Sequence, residues 1–153
     1  GPLDLPDDAA TARLAAALAP RLAPGDALLL DGPLGAGKSA FARALIRARL
    51  GEPAAEVPSP TYTLVQTYGE GAIWHADLYR LAGPAEALET GLADAFGAAL
   101  CLVEWPDRLG ALAPPDALAL RLDHAGDGRT AAFEGPRAWA PRLEGLAREA
   151  GLG

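Results

Sequence analysis

The stretch "LLLDGPLGAGKSAF" at residues 28–41 decides how the rest of the chain is read. Its leucines end an apolar run that starts after the turn Pro24-Gly25-Asp26. An apolar run bounded by turns suits a parallel strand buried on both faces. The residues after it, "SAFARALIRARL", read as a helix ended by Gly51 and Pro53. Between strand and helix lies Gly32-Pro33-Leu34-Gly35-Ala36-Gly37-Lys38-Ser39, a full match to G-x-x-x-x-G-K-[ST]. Glycines let backbone N–H groups turn inward onto phosphate oxygens. The helix N-terminus aims free N–H groups and a positive dipole end at the same charge. In this pattern the lysine reaches the β- and γ-phosphates and the Ser39 hydroxyl serves Mg2+.

Composition singles out the same position. Thirteen residues are Lys or Arg, and Lys38 is the one lysine among them. Elsewhere a surface charge is needed and arginine supplies it. Inside a closed phosphate loop a compact ammonium fits where a planar guanidinium does not. The wider Ala and Arg bias, with no Met, reads as the codon usage of a GC-rich genome and carries no function.

The bulk numbers bound the remaining choices. The chain has 153 residues, 50% hydrophobic and 22% charged, which suits one globular domain over residues 3–153. Gly1-Pro2, with no initiator Met, reads as the remnant of a cleaved tag. Net charge is −7. That opposes unaided binding of nucleic acid, so any link to RNA is expected to run through a protein partner. Cys101 is the single cysteine, which excludes an intrachain disulfide. Neither a signal peptide nor an apolar stretch near the roughly 18 residues of a membrane span is evident, so a cytoplasmic protein is the default expectation.

Along the chain, Asp7 or Asp8 caps an alanine-rich helix in "LPDDAATARLAAALAPRL". "TYTLVQTYGEGAIWHADLYRL" reads as two β-rich runs around the turn Gly69-Glu70-Gly71. "GPAEALETGLADAF" reads as a helix with Pro84 in its first turn. "ALCLVEW" is a second buried strand stopped by Pro106. "DALALRLDH" and "RTAAFEG" read as two strands joined at Ala125-Gly126-Asp127-Gly128, and the tail as helix. The expected fold class is α/β: a three-layer P-loop NTPase-like fold with a mixed, mainly parallel sheet and a β-hairpin insertion.

Acidic partners for a metal belong at the end of a neighbouring strand. Glu104, closing "ALCLVE", is the leading candidate, with Trp105 beside it. Alternation along "HADLYR" sets His75, Asp77 and Tyr79 on one face and Trp74, Ala76, Leu78 and Arg80 on the other. Asp77 then orients the attacking water or ligates the metal through water, or else pairs with an arginine such as Arg80 or caps the next segment. His75 reads as structural, and His75 and His124 lack partners at zinc-ligand spacing. "SPTYT" supplies Ser59, Thr61 and Thr63 in the region where nucleotide switches place a γ-phosphate-sensing threonine. Spacing alone does not separate that from a plain turn and strand.

Taken in order, "LDGPLGAGKSAFARAL", "SPTYTLVQTY", "HADLYRL" and "LVEWPDRL" resemble the signature blocks of the TsaE family, once called YjeE. The resemblance runs from about residue 3 to about residue 135. It implies a bacterial P-loop ATPase serving threonylcarbamoyladenosine formation in tRNA, with ATP and Mg2+ as cofactors and ADP as product. It also implies nucleotide-dependent association with the TsaB–TsaD pair, and contact with tRNA only through that complex. Carried onto this chain, Lys38, Asp77 and Glu104 are the catalytic set. Thr11, Gly35, Ala36, Gly37, Lys38, Ser39, Ala40 and Arg129 bind nucleotide, Ser59 and Thr61 form a switch, and Ser39 and Glu104 hold the metal. Three positions depart from the family pattern. Ser39 stands where threonine is frequent, Pro33 where Asp is common, and Ala76 where an aromatic is usual.

Two other classes compete. A small-molecule kinase needs an arginine-bearing lid and an acceptor site, whereas the middle of this chain reads as a hairpin. A nucleotide-gated binding module with negligible hydrolysis would share the same loop. A GTPase commonly uses N-K-x-D, and the single lysine is already committed.

Overall fold

The computed structural model describes residues Gly1–Gly153. Seven strands form one sheet in the order β1-β7-β6-β2-β5-β4-β3. They are β1 (Leu3–Leu5), β2 (Ala27–Asp31), β3 (Val65–Tyr68), β4 (Ile73–Asp77), β5 (Leu100–Glu104), β6 (Leu118–Ala125) and β7 (Gly128–Glu134). The centre is parallel: β2 pairs with both β5 and β6, and β4 pairs with β5. The edges are antiparallel, β7 on β6, β1 on β7 and β3 on β4. The sheet is therefore mixed with a parallel core, as the apolar runs in β2 and β5 imply.

Each face of the sheet carries its own layer. α1 (Asp8–Leu18) and α2 (Lys38–Leu50) cover one face. There Leu14, Leu18, Phe41, Leu45 and Ile46 meet Leu28, Leu30, Leu100, Leu102, Leu118 and Leu120. α3 (Pro84–Glu89) and α4 (Leu92–Ala95) cover the other, where Ala87 and Leu92 meet Ala27, Ala76, Cys101 and Val103. Period-2 alternation sorts every central strand between these layers. Trp74 packs in the second layer beside Ala76, the face expected for it. Cys101 is fully buried there, and burial pushes its thiol up to about 12, so it stays protonated and inert near neutral pH.

Local signals set most boundaries. Asp7 caps α1, its side chain accepting from the Ala10 N–H at 2.8 Å. Gly51 closes α2 in the left-handed conformation. The hairpin β3–β4 turns at Gly69, with Ala72 N–H donating to its carbonyl at 3.2 Å. No helical lid lies between α2 and β3.

Two expected helices are interrupted. The segment after Pro84 divides into α3 and α4 at Gly91, which has φ +83°. The tail divides into α5 (Ala140–Leu143) and α6 (Leu146–Glu149) at Gly145, with φ +74°. In both, a glycine in the left-handed region ends one turn of helix before the next begins. β1 is a third difference: three residues too short to read as a strand from pattern, held by pairing with Leu3↔Ala131 and its neighbours.

Candidate functional site

The C-terminal ends of the parallel strands β2, β5 and β4 open onto a groove of about 390 Å3. It is lined by the glycine-rich loop, the first turns of α2, Thr61, Asp77, Tyr79, Glu104, Trp105 and Arg129. Ligands of open α/β sheets bind outside the carboxyl ends of the strands. The sequence puts these groups together through strand parity. In β5 Leu100 and Leu102 face α2, so Glu104 does too; in β4 Ile73, His75 and Asp77 share that face. Register then sets Asp77 directly beside Glu104.

The loop is held from several sides. Gly32 has φ +141°, and a Cβ there would lie 2.1 Å from the Leu122 carbonyl oxygen. Gly32→Ala is expected to cost roughly 3 kcal/mol or more, since neither the conformation nor the contact with backbone can be relieved. A melting temperature equal to wild type would contradict this packing. Gly37 has φ +98° and lies under the Arg129 side chain, whose Nε would be 2.9 Å from an added Cβ. Arg129 reaches this position from the start of β7 and is tethered to Asp8 at 3.0 Å. The Leu34 carbonyl lies 3.2 Å from His124 Nε2.

Lys38 is buried, and its Nζ donates to the carbonyls of Gly32 at 2.6 Å and Pro33 at 2.9 Å. The same ammonium sits 4.1 Å from the Trp105 ring centroid, within cation–π range. Trp105 adopts φ +59°, an unusual value for a non-glycine residue, and the Tyr79 ring packs against it tilted by 48°, with the centroids 4.8 Å apart. Burial pulls the lysine below its ordinary pKa, and the facing carboxylates of Glu104, Asp31 and Asp77 oppose that pull. Trp105 thus roofs the lysine.

Two chains of hydrogen bonds meet at the groove. Ser39 Oγ donates to Glu104 Oε1 at 2.7 Å, and Glu104 Oε2 lies 2.6 Å from His75 Nε2. Thr61 Oγ1 donates to Asp77 Oδ2 at 3.2 Å and bonds Ser59 Oγ at 2.8 Å. The Tyr79 N–H donates to Asp77 Oδ1 at 3.0 Å. Asp77 pairs with no arginine; Arg80 instead lies over the Tyr62 ring.

Of the residues singled out from sequence, Gly35, Gly37, Lys38, Ser39, Ala40, Thr61, Asp77, Glu104 and Arg129 line the groove. Ala36 is buried beneath the loop, and Ser59 reaches the groove through Thr61. Thr11 is buried in α1, outside the lining, with no hydrogen-bond partner for its hydroxyl. Arg43 and Tyr79 also line the groove. Arg43 was legible as the residue one helical turn after Ser39, and Tyr79 as the continuation of the His75–Asp77 face.

A mixed sheet with a parallel centre, flanked by helices and carrying a glycine-rich loop between its central strand and α2, defines a P-loop NTPase-like α/β domain. The solved structure of Bacillus subtilis YdiB superposes with a TM-score of 0.66 at 30% identity, covering 92% of this chain and 87% of that one. The family model described as threonylcarbamoyl adenosine biosynthesis protein TsaE matches residues 5–131. The tRNA threonylcarbamoyladenosine biosynthesis protein TsaE of Rickettsia felis is 40% identical over 123 residues, 79% of this chain and 71% of that protein. Its Bacillus subtilis counterpart is 39% identical over 121 residues, 77% and 72% of the two chains. The chain belongs to the TsaE family, whose role lies in tRNA threonylcarbamoyladenosine biosynthesis. No helix is long and apolar enough to cross a membrane.

Proposed function

We propose that the protein binds and hydrolyses Mg-ATP, and that the nucleotide controls its association with a TsaB–TsaD pair during tRNA threonylcarbamoyladenosine formation. The observation that carries this reading is the 2.7 Å bond between Ser39 at the start of α2 and Glu104 at the end of β5. It joins a hydroxyl on the phosphate-binding helix turn to a carboxylate on the neighbouring strand, the pairing that a phosphate-bound metal needs.

The donor set suits Mg2+. The Ser39 hydroxyl and the Glu104 carboxylate are hard oxygen donors, and the serine hydrogen is taken up by Glu104, leaving the hydroxyl oxygen's lone pairs free. No group of three or more His, Cys, Asp and Glu side chains converges into a complete metal cage. Electrostatics points the same way. Glu104 and Asp77 line the groove with the loop that would receive an anionic phosphate chain, and a divalent cation held there would offset the repulsion between these charges. When bound, Mg2+ neutralises charge developing on the transferred phosphoryl group.

The chain's own residues supply the remainder. Loop N–H groups and the α2 N-terminus hold the phosphates. Lys38 moves its ammonium from two loop carbonyls to the β- and γ-phosphates. Asp77, fixed by the Tyr79 N–H, orients the attacking water. Thr61, bonded to Asp77, links the state of the phosphates to the exposed segment around Tyr62. Arg129 lies against Gly37 and completes the phosphate side of the groove.

Capture of a TsaB–TsaD pair by the immobilised protein tests the reading, with ATP, with ADP and without nucleotide. ATP-selective capture is expected. Equal capture under all three conditions would remove nucleotide control. Phosphate transfer to a small acceptor in a radiolabelled-ATP screen would replace the reading with a kinase.

A further inference from the structure

Glu104 is held by a residue outside the metal and phosphate set. His75 and Glu104 are 0% and 2% exposed, and His75 Nε2 lies 2.6 Å from Glu104 Oε2. The other carboxylate oxygen takes the Ser39 hydroxyl. The His75 Nδ1 is buried with no partner. A proton on Nδ1 would be a buried donor without an acceptor, whereas a bare Nδ1 leaves only a lone pair unfilled. The ring proton therefore belongs on Nε2, directed at Glu104.

Strand geometry explains how a histidine reaches this position. His75 pairs with Leu102 across β4 and β5, two residues behind the Asp77↔Glu104 pair and on the same face. The Glu104 side chain is thus gripped from behind by His75 and in front by Ser39. The Leu78 N–H donates to the Glu104 carbonyl at 3.1 Å and fixes its backbone. Stability does not call for this arrangement. The neighbouring inward positions Ile73, Leu100 and Leu102 are aliphatic, and a buried polar pair seldom stabilises a core more than well-packed apolar side chains.

We infer that His75 is a positioning residue for the metal site. It ties one Glu104 oxygen so that the other stays turned toward Ser39 and the bound cation. This inference rests on the Mg-ATP reading. Partners that orient a ligating carboxylate are worth about 10-fold to 100-fold in metal affinity or activity.

Calorimetric titration of ATP into wild type, H75F, H75L and H75Q, each with excess Mg2+ and with EDTA, tests it. H75F and H75L lack the donor; the smaller leucine covers the case in which phenylalanine overpacks the sheet. H75Q keeps an N–H that can reach Glu104. Circular dichroism and melting curves establish which variants are folded. Affinity in EDTA is expected to match wild type in every folded variant. The gain in affinity on adding Mg2+ is expected to shrink about 10-fold or more in H75F and H75L and to return largely in H75Q. A wild-type Mg2+ gain in either donorless variant, or an H75Q no better than H75L, would overturn the inference while leaving the nucleotide reading in place. Folded wild type that binds no ATP would overturn both.

Discussion

Lys38→Ala is expected to weaken ATP binding roughly 100-fold or more while the protein stays folded. A lysine bridging two phosphates contributes two charge-assisted bonds, each worth about 1.5–3 kcal/mol, and about 1.4 kcal/mol is a factor of ten in affinity. The fold loses little, because the Lys38 ammonium is already held at a desolvation cost under Trp105. Lys38→Arg is expected to restore little of the binding. The ammonium fits between two carbonyls 2.6 and 2.9 Å away and beneath an indole ring. A planar guanidinium is broader and its donors point in fixed directions. Calorimetry with circular dichroism on the same samples checks both variants. Unchanged ATP affinity in Lys38→Ala would end the phosphate-loop assignment.

Glu104→Gln and Asp77→Asn are each expected to lower ATP hydrolysis about 100-fold or more with the fold intact. Both changes keep the side-chain shape and remove the charge. The amide oxygen introduced by Glu104→Gln can still accept from His75, and the one introduced by Asp77→Asn can still accept from the Tyr79 N–H. Neither change therefore strands either of these donors. The two should separate in binding. Glu104→Gln removes a metal donor and should lower the affinity gained from Mg2+. Asp77→Asn should bind Mg-ATP near wild-type affinity and fail in turnover, since the proposed role of Asp77 is to orient water. Phosphate release measured with the TsaB–TsaD pair present checks the rates. Wild-type turnover in both would break the model of the site.

Much of this is legible in the sequence because the decisive signals are local. Apolar runs in β2 and β5, the glycine pattern after β2 and the turn at Gly69 each lie within about ten residues, where periodicity and turn chemistry operate. β1 was not legible, because three residues carry no period and its existence depends on β7. The divisions at Gly91 and Gly145 were written as single glycines, which a helix tolerates until packing favours the left-handed turn.

The site divides along the same line. Lys38, Ser39, Asp77 and Glu104 follow from motif and strand parity. The contact between His75 and Glu104 spans 29 residues of sequence and depends on the parallel register of β4 against β5. The position of Trp105 over Lys38 was equally hidden, since it needs a left-handed backbone that no tryptophan advertises. Thr11, placed near the nucleotide by family resemblance alone, lies buried in α1 outside the groove lining.

In the proposed function this groove is a Mg-ATP site. Isothermal titration of ATP into the wild-type protein, with and without Mg2+, tests it most directly. Saturable binding that is strengthened by Mg2+ and lost in Lys38→Ala is the predicted result. No binding to the folded wild-type protein under either condition would contradict it.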